Sequence, residues 1–293
     1  MLGALLLGQS LYGQYDPRRT RWSLHRHQVG ASIGLTGYLG ELGGADAIGS
    51  DGISDLNFNQ NRLTINIEYR YFMKRNFSIR TSLLFGYLSG NDASTNEPFR
   101  QARNLHFRAP IFELSGMLEF FLLREEPGKK SSFNQQKLMF DFYVFAGVGI
   151  TYFNPQGNYK DTWFNLQPFG TEGQGIEKQP DRYLRFTPVI PIGFGFAKKF
   201  KGVWSAGLEL SYRKTFTDYL DDVSTVYFNN DKIRETYGDV AAHFADPSTS
   251  DIIGTGEGDQ RGDENQKDAY LTAVITIHYF IVSKRRKTKR TRF

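Results

Sequence analysis

The chain of 293 residues has no cysteine, so disulfides, thiolate nucleophiles and cysteine-based metal sites are excluded. It also has no run approaching the roughly 18 apolar residues that a membrane-spanning helix needs. Its mean hydropathy of −0.45 reads at first as that of a water-soluble protein. Neither absence excludes a β-barrel in a membrane, whose strands need an apolar residue only at alternate positions. Charge of one sign is scarce too. The net charge of +5 is largely gathered at Lys284, Arg285, Arg286, Lys287, Lys289, Arg290 and Arg292, which is a local feature and not a nucleic-acid-binding surface. Tryptophan is rare, with 3 residues, yet 25 Phe and 16 Tyr bring the aromatics to 15%. Aromatic girdles at two membrane interfaces would use them, and a soluble β-sandwich core is the alternative.

What the chain does have is a period of two. Leu63, Ile65, Ile67, Tyr69 and Tyr71 alternate with Thr64, Asn66, Glu68 and Arg70, the pattern of a strand with one apolar and one polar face. Similar segments predict strands at about 26–39, 61–73, 76–89, 104–122, 137–153, 183–199, 202–216 and 268–282. In the fourth, apolar residues move from odd positions (Leu105, Phe107) to even ones (Phe112, Leu114, Leu118, Phe120), which predicts a bulge or break at Pro110. Pro188 and Pro191 predict an irregular stretch in the sixth.

The connections alternate in length. Lys74-Arg75 and Lys201-Gly202 read as tight hairpins, and Arg124 to Gln136 as a medium polar turn. The other four, about 40–60, 90–103, 154–182 and 217–267, are long and rich in Gly, Asn and Asp. All the long ones fall on one side, as in outer-membrane barrels with long loops outside and short periplasmic turns. The expected fold is all-β: an eight-stranded antiparallel outer-membrane β-barrel with both termini in the periplasm. Residues 1–14 read as the remnant of a signal peptide, with an apolar Leu2–Leu7 and a small Gly13 before cleavage. The barrel follows over 15–283 and a basic periplasmic tail over 284–293.

Eight strands enclose a lumen just wide enough to be filled by side chains. Its expected lining includes Glu68, Arg70, Arg80, Glu113, Glu119, Asp141, Arg185, Glu209 and Arg213. Both signs are present, which predicts internal ion pairs and argues against a solute pore. In the last long loop, Ile233, Tyr237, Val240 and Phe244 recur at helical spacing, predicting a helix over 231–245 with Asp231 as N-cap.

Several short motifs carry little. His25-Arg26-His27 lacks an evident third metal ligand. Arg261-Gly262-Asp263 is a chance match to an adhesion tripeptide, and the Gly-rich 254–259 has no following Lys-Ser/Thr for a phosphate loop. Asn76-Phe77-Ser78 fits a glycosylation sequon inside a tight turn. His106, His243 and His278 are the remaining histidines, and only His243 shares a loop with Asp218, Asp221 and Asp222. No catalytic constellation and no cofactor site are evident, so a non-enzymatic role is expected. The three aspartates are expected to brace their loop through backbone N–H groups or Arg213, with calcium binding as the sharper alternative.

Two loop segments are distinctive: Asn165-Leu-Gln-Pro-Phe-Gly-Thr-Glu-Gly-Gln-Gly175, and Tyr212-Arg-Lys-Thr-Phe-Thr-Asp-Tyr-Leu-Asp-Asp-Val-Ser224 followed by Tyr227. With Tyr38-Leu-Gly-Glu-Leu42, Arg103-Asn-Leu-His-Phe-Arg108 and Phe153-Asn-Pro155, they resemble the PorG family, the outer-membrane barrel component of the type IX secretion system of Bacteroidota. The resemblance spans about 28–281. It implies a non-enzymatic component that ties a periplasmic ring, built from a lipoprotein and its partner, to the outer membrane and its lipids. The loop residues carrying it are Leu166, Gln167, Pro168, Gly170, Thr171, Glu172, Gly173, Gln174, Gly175, Thr217, Asp218, Tyr219, Asp221, Asp222 and Ser224. The ring-facing candidates are Arg124, Glu125, Glu126, Lys129 and Lys130 in the polar turn, and Lys284, Arg285, Arg286, Lys287, Lys289 and Arg290 in the tail. The tail could equally lie against anionic lipid. The alternatives are a stand-alone porin or adhesion barrel using its long loops, and a rim enzyme.

Overall fold

A computed structural model describes residues 25–40, 42, 60–94, 98–124, 140–200, 203–248, 254–264 and 266–282. Eight antiparallel strands form the wall: β1 (His27–Leu39), β2 (Arg62–Phe72), β3 (Phe77–Asn91), β4 (His106–Leu123), β5 (Asp141–Phe153), β8 (Phe186–Phe200), β9 (Trp204–Thr215) and β10 (Ala269–Ile281). Each pairs with its neighbour, and the first strand pairs with the last (Val29 opposite Tyr279), so the sheet closes. A small hairpin, β6 (Gln156–Tyr159) and β7 (Thr162–Asn165), extends the β4 edge beyond the wall through Arg108 and Gln156. Among the described residues no helix is long and apolar enough to cross a membrane; the strands cross instead.

The period of two sets the two faces. Outward positions stay exposed although they are apolar: Ile67 is 65% exposed, Val148 69%, Leu208 60% and Ile275 61%. A continuous apolar wall of this kind is untenable in water and fits a bilayer. The stretch from Phe112 to Leu122 rises about 25 Å in a strand tilted by about 40°, the height of an outer-membrane apolar belt. Rings mark both ends of the belt. Phe85, Phe112, Tyr152 and Phe186 stand in register on β3, β4, β5 and β8. Near the short-turn end, Phe77 pairs with Phe120 and Trp204 with Tyr279.

The inward face is filled in three layers. Phe72, Met117, Phe121, Tyr143, Phe145, Ala197 and Phe280 close the short-turn end. Tyr38, Leu84, Leu88, Leu105, Phe107, Ala109, Ile111, Phe153 and Tyr270 fill the long-loop mouth, joined by Leu220 and Val223 from the last loop. Between these layers lies a charged one. Arg80 is bonded to Glu68 (2.8 Å), Glu209 (2.6 Å) and Glu119 (3.1 Å), and Arg70 to Glu119 (2.9 Å). Arg213 is bonded to Glu113 at 2.8 Å, which also accepts from Tyr270 Oη. His278 contacts Glu68. The guanidinium of Arg80 lies 4.4 Å from the Phe145 ring centre and that of Arg70 4.9 Å from Tyr143.

Four sequence expectations are corrected. The fourth strand has no bulge at Pro110: β4 pairs with β3 without a shift, Tyr87 opposite Pro110. Its apparent change of phase arises because the mouth is lined with apolar side chains, so Leu105 and Phe107 face inward there just as Glu113 does deeper down. The irregularity of β4 lies at Phe121/Leu123 instead. A short helix, α1 (Pro98–Arg103), lies in the second long loop, and the single helix expected over 231–245 is two, α2 (Asn230–Tyr237) and α3 (Asp239–Ala245). They are divided by Gly238 at φ 90°, and Asn229, not Asp231, caps α2 by accepting from the Lys232 N–H. Arg185 does not line the lumen; it sits half-buried at the rim over Tyr152. Of the two braces expected for the aspartate run, a backbone N–H serves it (Val223 to Asp221), while Arg213 braces Glu113 inside the barrel. In β8, the ladder to β5 is interrupted between Val189 and Ile192, where Pro191 has no N–H to donate.

Candidate functional site

The two distinctive loop segments meet over the long-loop mouth. Pro168 starts a short helical turn, Gln167–Phe169, and Gly170 ends it in the left-handed region at φ 53°. Leu166 is buried beneath it and Gln167 Nε2 donates to the Tyr183 carbonyl. Gly173 (φ 86°) and Gly175 (φ 77°) continue the irregular path, and a side chain at Gly173 would strike the Phe228 ring. These turns bring Thr171, Glu172 and Gln174 down onto the other segment.

Each aspartate of that segment has its own donors. Asp221 accepts from Tyr38 Oη at 2.7 Å and from the Val223 N–H at 3.0 Å. Asp222 accepts from Thr171 Oγ1 at 2.6 Å and from Tyr183 Oη. Asp218 accepts from Ser224 Oγ at 2.9 Å. Tyr219 stacks on Tyr183 with ring centres 4.4 Å apart, and Thr217 caps the turn by accepting from the Tyr219 N–H. Glu172 takes the N–H groups of Ser224 (2.8 Å) and Thr225 (3.2 Å). Burial pushes the carboxyls of Asp218 and Asp222 up to about 6.

Two arginines lock this layer to the rest of the loops. Arg261 is buried; it donates to Glu172 at 2.9 Å and to the Asp222 carbonyl at 2.7 Å. Arg103 holds Asp92 through two bonds (2.7 and 3.0 Å) and donates to the Arg261 carbonyl. The tripeptide that looked like an adhesion motif therefore begins with a buried structural arginine. Neither arginine has a local sequence signal as a partner of these loops: Arg261 is 89 residues from Glu172 in the chain. Tyr183 and Asp268, which accepts from Tyr38 Oη and the Leu220 N–H, were missed for the same reason.

Among the described residues no three carboxylate or imidazole groups are arranged to hold a metal. His243 packs on Tyr159, ring centres 4.6 Å apart, while the three aspartates bond to hydroxyls and N–H groups elsewhere. Burial and the neighbouring His106 push the His243 ring down.

At the short-turn end Arg124 is half-buried. Its guanidinium lies 3.8 Å from the Phe72 ring centre, beside Phe121, and donates to the Arg75 carbonyl. Burial pushes it down to about 10. It forms part of the barrel floor. Glu125, Glu126, Lys129, Lys130, residues 284–292 and residues 1–14 lie outside the described residues.

The chain is similar in structure to Neisserial surface protein A (6% identity, 87% of this chain and 96% of that one, TM-score 0.40). It is also similar to Ail, the attachment invasion locus protein of Yersinia pestis (8%, 87% and 98%, TM-score 0.36), and to the N-terminal β-barrel domain of Pseudomonas aeruginosa OprF (10%, 86% and 97%, TM-score 0.34). No curated protein sequence matches it. A family model described as a domain of unknown function, DUF6089, matches residues 23–242, from the entry into β1 to the middle of α3. That match takes in most of the wall and both of the loop segments that form the mouth layer, and the chain belongs to the DUF6089 family.

Proposed function

We propose that this barrel is a non-enzymatic component of the type IX secretion machinery, of the PorG kind, which holds the periplasmic ring at the outer membrane. The observation that carries this reading is that the segments resembling PorG are the ones that interlock. Thr171 and Glu172 of one bond Asp222 and Ser224 of the other, above a lumen already filled from floor to mouth. A sealed barrel offers no route for a solute and suits a fixed anchor. The short turns and both termini would then face the ring.

Affinity purification of the protein from outer membranes tests this. The ring lipoprotein and its partner are expected among the bound proteins, and cells lacking the barrel are expected to lose secretion through this route. Recovery of the barrel without ring proteins, or intact secretion in its absence, would overturn the proposal. Ion conductance by the purified protein in planar bilayers would favour a porin instead; the buried Arg80 and Arg70 pairs predict none.

A further inference from the structure

On the outward face, just beyond the rings of Tyr152 and Phe186, five polar side chains form one chain of hydrogen bonds. Asn165 Oδ1 is its centre and accepts from Gln156 Nε2 (3.0 Å) and Asn154 Nδ2 (2.8 Å). Gln156 Oε1 in turn accepts from Arg108 Nε (3.1 Å), and Asn154 Oδ1 from Arg185 Nη1 (3.2 Å). A guanidinium thus stands at each end. Arg108 is further fixed by Trp163, whose ring centre lies 3.8 Å from its guanidinium carbon, and Arg185 stands 5.8 Å over Tyr152. Both arginines are half-buried. Among the described residues, neither forms an ion pair with a carboxylate.

The position restricts what such a pair would meet. Arg185 directly precedes Phe186, and Arg108 lies four residues above Phe112 on β4, about 10 Å along the normal in a strand tilted by about 40°, so the guanidinia stand just beyond the end of the apolar belt. That is the depth of lipid headgroups. A guanidinium presents parallel N–H groups that match phosphate oxygens in pairs, and a neutral amide scaffold holds its direction without cancelling its charge. We propose that Arg108 and Arg185 form a binding site for the phosphate of a membrane lipid whose acyl chains lie along the Phe112, Tyr152 and Phe186 wall. The site does not depend on the secretion role.

The test uses the full chain in detergent micelles, titrated with doubly phosphorylated lipid A, dephosphorylated lipid A and inorganic phosphate, and read by native mass spectrometry. The phosphorylated lipid is expected to bind at least tenfold more tightly than the dephosphorylated one. The Arg108→Gln/Arg185→Gln variant is expected to lose that preference while keeping the heat-dependent gel mobility of a closed barrel. If that variant fails to fold, Asn165→Asp keeps the acceptor but places a negative charge between the guanidinia, and is expected to lose the preference as well. Equal binding of the two lipids, or folded variants that bind like the native chain, would overturn the proposal. Inorganic phosphate binding as tightly as the phosphorylated lipid would overturn the assignment to lipid.

Discussion

The middle of the lumen and the layer over its mouth are both buried and both rich in carboxylates, yet they neutralise them differently. In the lumen, Glu68, Glu119, Glu209 and Glu113 each face a guanidinium, from Arg70, Arg80 or Arg213. In the mouth layer, Asp218, Asp221 and Asp222 rely mainly on hydroxyls and N–H groups, with Arg261 committed to Glu172 and a backbone carbonyl. A carboxylate beside a guanidinium keeps its charge, whereas one desolvated among neutral donors gives it up more readily. The two regions should therefore fail in different ways.

The largest effect is expected in the lumen. Arg80→Met leaves Glu68 and Glu209 without their principal cation, and loss of one partner of a buried pair costs about 3 to 5 kcal/mol. Urea unfolding followed by heat-dependent gel mobility should show the whole barrel destabilised; an unchanged midpoint would mean that the charged layer contributes little. A smaller and more local effect is expected from Arg261→Gln, at about 2 to 3 kcal/mol for the bonds lost to a buried carboxylate. Hydrogen exchange should accelerate over 217–245 while the barrel's gel mobility stays native. If the barrel unfolds as well, the mouth layer and the wall are one cooperative unit.

The smallest effect is a dependence on pH. Asp222 is held at about 6 in the folded protein, above the ordinary 3.8 of an aspartate. Its raised value favours the protonated folded form, so that contribution is fully present below about 4 and is lost as pH rises through about 6. Protection of the mouth layer should fall between about pH 4 and 6, and Asp222→Asn should lessen that fall, leaving the share of Asp218. A profile that is flat in the native chain, or one that rises with pH, would break the contrast between the two regions.

The wall was legible because its signal is local. Alternation within each strand gave both faces, and the lumen positions of Glu68, Arg70, Arg80 and Glu209 followed from that phase alone. Alternation misled where the inner face is itself apolar, and at Arg185, which precedes the first residue of β8. At Leu105 and Phe107 the partners are Leu220 and Val223 of a distant loop, and no neighbouring residue announces them. The mouth layer shows the same limit. Its segments stood out as motifs, but the hydrogen bonds that explain them come from Tyr38, Tyr183 and Arg261, which are set by tertiary packing.

The pairing of β1 with β10 has a consequence for how the molecule comes into being. Val29 meets Tyr279, so the seam of the barrel joins the two ends of the wall. Until the last strand arrives, β1 and β9 each present an open edge, which hydrocarbon does not tolerate. Contacts of such sequence separation form late and slowly. Insertion should then be nearly all-or-none, committed only when the final strand docks, and a chain stopped anywhere before residue 269 should behave as an aggregation-prone intermediate and not as a smaller barrel.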